Sequence, residues 1–513
     1  MTAARDRGEL CLVLHSHMPY VEGFGTWPFG EEWLLEAIAA SYLPLLDVLE
    51  RHAEGGARGI ATVGVTPVLA DQLALPEVGE RFLRFMRGTR RECHAEDTAG
   101  LERAGQGGAA AALRRGALDY ERAAQAFEDR ARDLLGALRA LCERGAIDLW
   151  ASCATHAVLP MVATDGCVRL QVEGGIAAHR DRFGSWSGGF WLPECAYRPG
   201  LEDHLARAGV RAFCVDQTHA APSLDQLEPI AAGATVAVPL DWTTISLVWD
   251  DRGYPADPVY RDYHAHTVNG MRAWANDGRP YDRDTAHARA REHAEHFVAR
   301  VLERTGEFHA ARGRPALVVC ALDTELLGHW WYEGPVWLDA VIGEAGRRGL
   351  ALAALPEALE RHEPRRAGVQ QSSWGTGKDL HTWDSPAVAD LVWAARESEL
   401  ELMSALGAGP PNGDASGAAR RAARELLALQ SSDWAFMRAR GLAGDYPGER
   451  VRSHAVAFAE AVSDLRRSMT DSRAMNGGGP DTAAGMDERL RGLAPGLDLS
   501  PLVAPSSPWS RQA

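Results

Sequence analysis

The chain has 513 residues, of which 46% are hydrophobic and 24% charged, and this composition is typical of a globular protein with one to three domains. The net charge of −16 argues against non-specific binding to nucleic acid and to anionic membrane surfaces, which would both repel it. No stretch of the sequence approaches the roughly 18 apolar residues that a membrane-spanning helix needs.

The eight cysteines are scattered along the chain, and none of them belongs to a C-x-x-C pair. This spacing predicts reduced thiols rather than a disulfide framework or a zinc knuckle. The apolar run from Leu10 to Leu14 is too short for the core of a signal peptide. We therefore expect a cytoplasmic protein.

Short apolar runs alternate with helical stretches along the first two thirds of the chain. This alternation predicts βα units and a parallel sheet that is covered on both faces. We expect strands at 10–14, 59–65, 146–152, 188–192, 211–215, 245–249 and 316–322. Seven such units favour a (β/α) barrel one unit short of the usual eight, with an open doubly wound sheet as the alternative.

Other segments differ from this alternation in composition. Residues 71–144 are rich in Ala, Arg, Glu and Leu, which predicts a helical insertion into the barrel. Three more helical stretches follow the barrel, and after residue 470 the sequence turns to Gly, Pro and Ser, which predicts disorder. We expect a barrel domain over 1–365, a helical C-terminal domain over 366–470 and a disordered tail over 471–513.

Polar residues that could carry chemistry stand just past the expected ends of the strands. They are His15, His17, His156, Glu194, Asp216 and Asp323. Barrel enzymes place their active sites at this end of the strands. Chance would distribute such residues over both ends, so the pattern predicts one shared site.

Glu194 follows an apolar strand that stops at Pro193, because proline has no N–H for a regular ladder. Two carboxylates that face each other across a pocket suit the cleavage of a glycosidic bond, and Asp323 is the expected partner. Each carboxylate could instead cap a helix or pair with an arginine. The aromatic neighbours Trp191 and Trp330 favour a functional pair, since the flat face of tryptophan suits stacking on sugar rings.

The run His15-Ser16-His17 has three interpretations. Together with His156 and Asp323, its histidines could bind a zinc ion. They could also bond to sugar hydroxyls and orient Glu194, or they could be structural. Two histidines at this spacing do not decide between the three.

Five short blocks, in this order, resemble glycoside hydrolase family 57 and, within it, the 1,4-α-glucan branching enzymes. The resemblance extends over about residues 9–465. The blocks are His15 to Pro19, Cys153 to His156, Trp191 to Cys195, Ala321 to Glu325 with His329-Trp330, and Ser372 to Gly375 with Trp383.

The resemblance implies that Glu194 is the nucleophile and Asp323 the general acid/base of a retaining enzyme. It also implies a set of residues that bind an α-glucan substrate, in which Trp27, Trp374 and Trp383 stack on the sugar. The expected substrate-binding residues are His15, His17, Trp27, His156, Trp191, Trp249, Arg252, Gly270, Trp374, Trp383 and Asp433. The implied fold is an α/β fold, an incomplete parallel (β/α)7 barrel with a helical insertion and a helical C-terminal domain. No metal or cofactor is expected.

The resemblance predicts a branching enzyme, which cleaves an α-1,4 linkage through a covalent glycosyl-enzyme and forms an α-1,6 linkage. The alternatives are an α-1,4-glucan hydrolase or 4-α-glucanotransferase with the same carboxylates, a glucan-binding protein, and a metal-dependent hydrolase. One departure bears on the first alternative. Branching members carry a long loop with a tyrosine after the nucleophile strand, whereas the short segment between Tyr197 and Tyr254 contains no tyrosine.

Overall fold

The strands of the protein form one sheet in a computed structural model that describes residues 6–26, 29–218, 222–407, 414–474, 490 and 492–503. Trp27 and most of the expected tail lie outside these residues. The strands in the described residues are β1 (Gly8–Ser16), β2 (Ala61–Val65), β3 (Ile147–Ser152), β4 (Gly189–Trp191), β5 (Ala212–Val215), β6 (Ile230–Ala232), β7 (Thr235–Pro239), β8 (Ala316–Asp323) and β9 (Ala351–Leu352).

The sheet has the order β6-β7-β5-β4-β3-β2-β1-β8, with β9 paired to β1. Seven of these strands, from β7 round to β8, pair in parallel, and β6 joins β7 as an antiparallel hairpin. The N–H of Asp241, just after β7, donates to the carbonyl of Val319 in β8 at 2.9 Å. The expected incomplete (β/α)7 barrel is confirmed, with its gap between β7 and β8.

Strand β1 lies inside the sheet, between β2 and β8, and all nine of its residues are buried. A continuous apolar run of this kind is typical of a parallel strand covered on both faces. Its register places His15 opposite Asp323 of β8 and opposite Gly64 of β2. The pairing of β1 with β8 therefore brings a histidine and a carboxylate side by side at one end of the barrel.

Helices dominate the chain between β1 and β3. They are α1 (Glu31–Ala37), α2 (Leu43–Glu54), α3 (Pro67–Leu73), α4 (Pro76–Arg84), α5 (Arg91–Arg103), α6 (Gly107–Asp129) and α7 (Leu134–Glu143). The last four, α4 to α7, lie within residues 71–144, where the sequence predicts a helical insertion. Phe82 of α4 packs edge-on against Phe127 of α6, with ring centroids 4.9 Å apart.

The barrel continues with α8 (Asp165–Phe183), α9 (Leu201–Arg207), α10 (Trp242–Trp249), α11 (Arg283–Arg312), α12 (Gly334–Arg348) and α13 (Leu355–Leu359). The strand expected at 245–249 is wrong, since these residues belong to α10. Thr244, Ile245 and Val248 are its buried residues, and this spacing fits one face of a helix. The sixth parallel strand is β7, whose sequence ends at Pro239.

In the described residues from 366 to 474, four helices follow the barrel: α14 (Ala389–Leu406), α15 (Asp414–Leu429), α16 (Ser432–Arg440) and α17 (Tyr446–Ala474). The sequence predicts α15 and α16 as one helix, but the chain breaks between them. The fully buried Ala419, Ala423 and Leu426 form one face of α15. This face shares an apolar core with Phe190 of β4, so the helices pack directly on the barrel.

The expected disordered tail is wrong for residues 492–503, which pack against the rest of the protein and include α18 (Ser500–Val503). Leu493 is fully buried, and its carbonyl accepts a hydrogen bond from Arg424 at 2.8 Å. The N–H of Ala494 donates to Asp71 at 2.8 Å. Among the described residues, no helix combines the length and the apolar character that crossing a membrane requires.

Candidate active site

Glu194 lies at the end of β4 in an unusual backbone conformation. After the extended Leu192, a short helical turn begins at Pro193, and the chain is left-handed at Glu194 (φ 58°, ψ 21°) and again at Cys195 (φ 47°). Such a conformation costs about 1–3 kcal/mol for a residue with a side chain, and it persists where surrounding contacts enforce it. Here the carbonyl of Glu194 accepts the N–H of Trp374 at 2.7 Å. The Glu194 side chain remains 19% exposed, which leaves it open to a ligand.

A chain of hydrogen bonds leads from the end of β1 to Glu194. His15 Nε2 and His156 Nε2 are 2.9 Å apart, and His156 Nδ1 is 2.8 Å from the hydroxyl of Ser432. The Ser432 hydroxyl donates to Glu194 Oε1 at 3.1 Å. His15 also stacks on Trp191, with ring centroids 4.6 Å apart. Residues from β1, β3, β4 and the helical region thus meet in one network.

The bond from Ser432 to Glu194 determines which atom donates in each hydrogen bond of this chain. Burial lowers the pKa of both His15 and His156 well below the usual range, so both rings are neutral. Because the Ser432 hydroxyl donates to Glu194, it must accept from His156 Nδ1–H. His156 Nε2 then accepts from His15 Nε2–H. The remaining nitrogen, His15 Nδ1, carries a lone pair, and among the described contacts it has no hydrogen-bond partner.

His17 joins the barrel to the break between α15 and α16. Its Nδ1 lies 3.0 Å from the hydroxyl of Thr66, and its Nε2 lies 2.9 Å from Asp433 Oδ2. Its ring stacks on that of His156 at 3.8 Å. The backbone N–H of His17 donates to Glu325 at 3.1 Å, which fixes the main chain just past β1.

Glu194 and Asp323 have raised pKa values because both carboxyls are withdrawn from water. Burial, with the negative charges of Asp323 and Asp433, raises the pKa of Glu194 to about 8. Burial and the Asp433 charge raise the pKa of Asp323 to about 7, against the opposing effect of His17. Two carboxyls that repel each other in this way share one proton near neutral pH, and the two values belong to the pair. The site therefore offers one carboxylate and one carboxylic acid together.

Three potential metal ligands, His17, His156 and Asp433, place their ligand atoms within 4.8 Å of one another. The zinc interpretation named His15, His17, His156 and Asp323, so two of its histidines lie here. All four ring nitrogens of His17 and His156 already lie within hydrogen-bond distance of protein groups. A metal ion would have to break these bonds, and this favours the hydrogen-bonding interpretation of the histidines.

Trp191 and Trp374 form an aromatic wall beside Glu194, with ring centroids 5.0 Å apart in an edge-on arrangement. Trp374 is half-buried, whereas Trp191 is only 1% exposed and offers no surface to a sugar. Trp383 does not offer the stacking surface expected of it, since it is only 2% exposed. Its indole N–H donates to the carbonyl of Ser432 at 3.2 Å. Trp383 therefore holds the backbone of Ser432 in place.

The structure places the other expected binding residues at the surface, with contacts of their own. Trp249 is 41% exposed and lies beside Trp330, with ring centroids 6.1 Å apart. Arg252 is exposed, and its backbone N–H donates to Asp250 at 3.2 Å. Gly270 occupies a left-handed turn (φ 80°) and donates to Thr267. Within the described part of the chain, no contact joins these three residues to the network around Glu194.

Ser432, Thr66 and Tyr42 belong to the site but were not selected as site residues on sequence, although the resemblance to family 57 includes Ser432 in the segment Ser431 to Trp434. Thr66 directly follows β2, so the rule that found His15 and Asp323 also applies to it. Ser432 directly precedes Asp433, and it would have been selected if the break between α15 and α16 had been predicted. Tyr42 donates to Glu325 at 2.5 Å from a helix, where no strand-end pattern points to it.

Two family models match the chain. Residues 11–370 match the model described as glycosyl hydrolase family 57. Residues 395–477 match a second model, described as 1,4-α-glucan branching enzyme, C-terminal. The second match includes α16, which supplies Ser432 and Asp433 to the site.

Several proteins are similar over most of the chain. A 1,4-α-glucan branching enzyme of Thermococcus kodakarensis is 31% identical over 507 residues, covering 90% of this chain and 74% of that protein. A probable 1,4-α-glucan branching enzyme of Mycobacterium tuberculosis is 33% identical over 503 residues, covering 91% and 94%. The crystal structure of a branching enzyme of this type from Pyrococcus horikoshii superposes with a TM-score of 0.89 at 30% identity, covering 98% of both chains. An α-amylase structure from Thermotoga maritima shares the fold, with a TM-score of 0.80 at 22% identity over 98% of this chain and 100% of that one.

Proposed function

The chain belongs to glycosyl hydrolase family 57, and from this membership we propose that it is a 1,4-α-glucan branching enzyme with Glu194 and Asp323 as its catalytic pair. One observation carries the proposal. The segment that matches the branching-enzyme C-terminal model reaches into the barrel and hydrogen-bonds to Glu194 through Ser432. The region that matches the branching-enzyme model thus contributes a side chain to the proposed catalytic site.

In the first step, the Glu194 carboxylate attacks the anomeric carbon of an α-1,4 linkage. The bond from that carbon to the leaving oxygen breaks, and Asp323 transfers its proton to this oxygen. In the free site, the two carboxyls share one proton near neutral pH. A glycosidic oxygen beside Asp323 supplies an acceptor that draws the proton there, and the Ser432 hydroxyl stabilises the ionised Glu194.

In the second step, Asp323 acts as a base. It removes the proton from the 6-hydroxyl of another glucan segment, and the 6-oxygen attacks the anomeric carbon of the glycosyl-enzyme. Glu194 leaves as a carboxylate, and the product carries an α-1,6 linkage. Water in place of the acceptor gives hydrolysis, so the half-buried Trp374, which packs on the buried Trp191, is the surface that decides between the two outcomes.

We also propose a cytoplasmic location, on the basis of the cysteines. All eight are free thiols in the described structure, and six of them are buried inside the fold. Proteins that retain many unpaired thiols suit a reducing compartment.

The test is incubation of the purified protein with amylose, without added metal. New α-1,6 linkages are counted by proton NMR, and new reducing ends are measured on the same samples. We expect many α-1,6 linkages and few new reducing ends. Reducing ends without α-1,6 linkages would identify a hydrolase instead. This outcome has a specific source, since the segment between Tyr197 and Tyr254 is short and contains no tyrosine.

A further inference from the structure

The segment 372–378, which we call the strap, lies across the end of β4 and carries Trp374. Its backbone is bonded to the Glu194 turn at three points. Tyr197 and Ser372 exchange hydrogen bonds at 2.9 and 3.1 Å, and Trp374 donates to Glu194 at 2.7 Å. These bonds fix one edge of the strap next to the proposed nucleophile.

The other end of the strap is held by a buried ion pair. Lys378 Nζ lies 2.8 Å from Asp216 Oδ2 and 3.2 Å from the centre of the Trp242 ring. The Trp242 indole donates to the same carboxylate oxygen at 2.5 Å, and the N–H of Thr218 donates to the other oxygen at 2.8 Å. Asp216 is completely buried, so its charge depends on these partners. We call Lys378, Asp216 and Trp242 the clamp.

The clamp sits in strained backbone. Gly377 (φ 81°) and Lys378 (φ 59°) are both left-handed, and a lysine adopts this conformation only where other contacts compensate for it. Lys378 is also the only lysine among the 54 Lys and Arg residues of the sequence. The chain uses arginine at every other basic position. A compact ammonium group fits between the Asp216 carboxylate and the Trp242 face, where a planar guanidinium is wider.

We propose that Lys378 is a positioning residue that sets the balance between transfer and hydrolysis. The clamp anchors the far end of the strap on β5 and α10, while the backbone bonds anchor its near end on the Glu194 turn. Trp374 lies between these anchors and packs on Trp191. A strap held at both ends keeps Trp374 at the place where an acceptor glucan stacks, and a strap released at Lys378 does not.

This inference rests on the proposed branching activity, and it separates two properties of the enzyme. Formation of the glycosyl-enzyme depends on Glu194, Asp323 and the Ser432 bond, none of which contacts Lys378 in the described structure. Capture of the glycosyl group by a 6-hydroxyl depends on a well-placed acceptor. Loss of the clamp therefore affects the second step more than the first.

The experiment compares Lys378→Met with the wild type on amylose, with α-1,6 linkages and reducing ends counted in parallel. We expect the ratio of linkages to reducing ends to fall about tenfold, since small displacements of a positioning group cost up to about a hundredfold in rate. Total cleavage should change less than about threefold at saturating amylose. Lys378→Arg should recover only part of the ratio, because its wider head does not fit the same gap.

The matched control is Arg440→Met. Arg440 donates to Thr376 of the same strap at 2.6 Å, but it lies at the surface and takes no part in the clamp. We expect this variant to keep the wild-type ratio. Asp216→Asn provides a second variant, because it removes the charge that Lys378 pairs with and keeps one of the two oxygens that accept from Thr218 and Trp242. Thermal unfolding of each variant shows that the compared proteins are folded.

Two results overturn the inference. One is a wild-type ratio in both Lys378→Met and Asp216→Asn. The other is a parallel loss of linkages and reducing ends, which would make the clamp merely structural. Failure of the proposed function is distinct from both, because the wild type itself would then form no α-1,6 linkages.

Discussion

Two parts of the proposed glucan site differ sharply in how they are held. In the inner part, around Glu194, His156 and Ser432, most side chains are bonded at each polar atom and the backbone is strained to keep them there. In the outer part, Trp249 and Arg252 lie at the surface, and Trp249 has only an aromatic neighbour. The inner part fixes atoms for chemistry, whereas the outer part offers area for binding.

The difference has a physical cause. Proton transfer and nucleophilic attack need atoms placed within fractions of an ångström, so the inner residues require several bonds each. Stacking on sugar rings far from the reacting bond tolerates more displacement, because dispersion and apolar contact there depend on area rather than on direction. Substitutions in the inner part should therefore change rate, and those in the outer part should change apparent affinity.

Glu194→Gln is expected to have the largest effect. An amide cannot form the glycosyl-enzyme, so transfer and hydrolysis should both fall by at least about a thousandfold, as losses of a nucleophile do in other enzymes. Rates on amylose and the thermal unfolding midpoint would be measured together. If the variant kept the activity of the wild type, Glu194 could not be the nucleophile.

Glu325→Gln is the matched control for this substitution. Glu325 lies two residues after Asp323, and burial raises its pKa to about 8, so it is mostly protonated at pH 7. Its Oε1 accepts from Tyr42 and from the His17 N–H, and an amide oxygen can accept both. The same change in the same pocket should therefore leave the rate within about threefold of the wild type.

Ser432→Ala is expected to have the next largest effect. It removes the one side-chain hydrogen bond that Glu194 receives among the described contacts and leaves His156 Nδ1–H without an acceptor. A bond to a charged group contributes about 1.5–3 kcal/mol, which corresponds to a loss of about 10–100-fold in kcat. Ser431→Ala is the control, since Ser431 donates to Asp433 at 2.5 Å instead. Equal losses in the two variants would contradict the directed chain from His15 to Glu194.

The pH dependence follows from the raised pKa values of the pair. Activity needs one ionised and one protonated carboxyl. Below about pH 7 both become protonated and the nucleophile is lost, and above about pH 8 both become ionised and the acid is lost. The rate should therefore be highest between these values. Asp433→Asn removes a negative charge that raises both pKa values, so both limbs of its profile should move to lower pH.

A profile in Asp433→Asn that keeps the wild-type midpoints would show that Asp433 acts on the substrate alone. A shift to higher pH would contradict the charge argument directly. The measurement is kcat/KM on a soluble maltooligosaccharide over a range of pH.

Sequence patterns predicted the barrel and most of the inner site for one reason. Buried parallel strands are continuous apolar runs, and the residue after each run falls at the same end of the barrel. This rule located His15, Glu194 and Asp323 without any contact being known. It failed for 245–249, because a short apolar run cannot be told from a buried helix by periodicity alone.

The contributions of distant segments could not be predicted in the same way. The break before Ser432 contains neither glycine nor proline, so no local signal marks it. The burial of Trp383 depends on how the helical region packs, and a tryptophan in a loop serves a core and a sugar surface equally well. The role of Lys378 could not be predicted either, because it depends on Asp216 and Trp242, which are distant in the sequence and meet Lys378 only in the fold.

Trp249→Ala is expected to have the smallest effect and tests the outer part directly. Loss of one exposed stacking surface should raise KM for amylose by about three- to tenfold, since a partly exposed aromatic contact contributes about 0.5–1.5 kcal/mol. The value of kcat should stay within about twofold, because no described contact joins Trp249 to Glu194. Trp393→Ala is the matched control, as Trp393 is 53% exposed on α14 and should leave KM unchanged. A loss of kcat in Trp249→Ala as large as in Ser432→Ala would mean that Trp249 reaches the reacting sugar, and the division between a rigid inner site and a tolerant outer surface would fail.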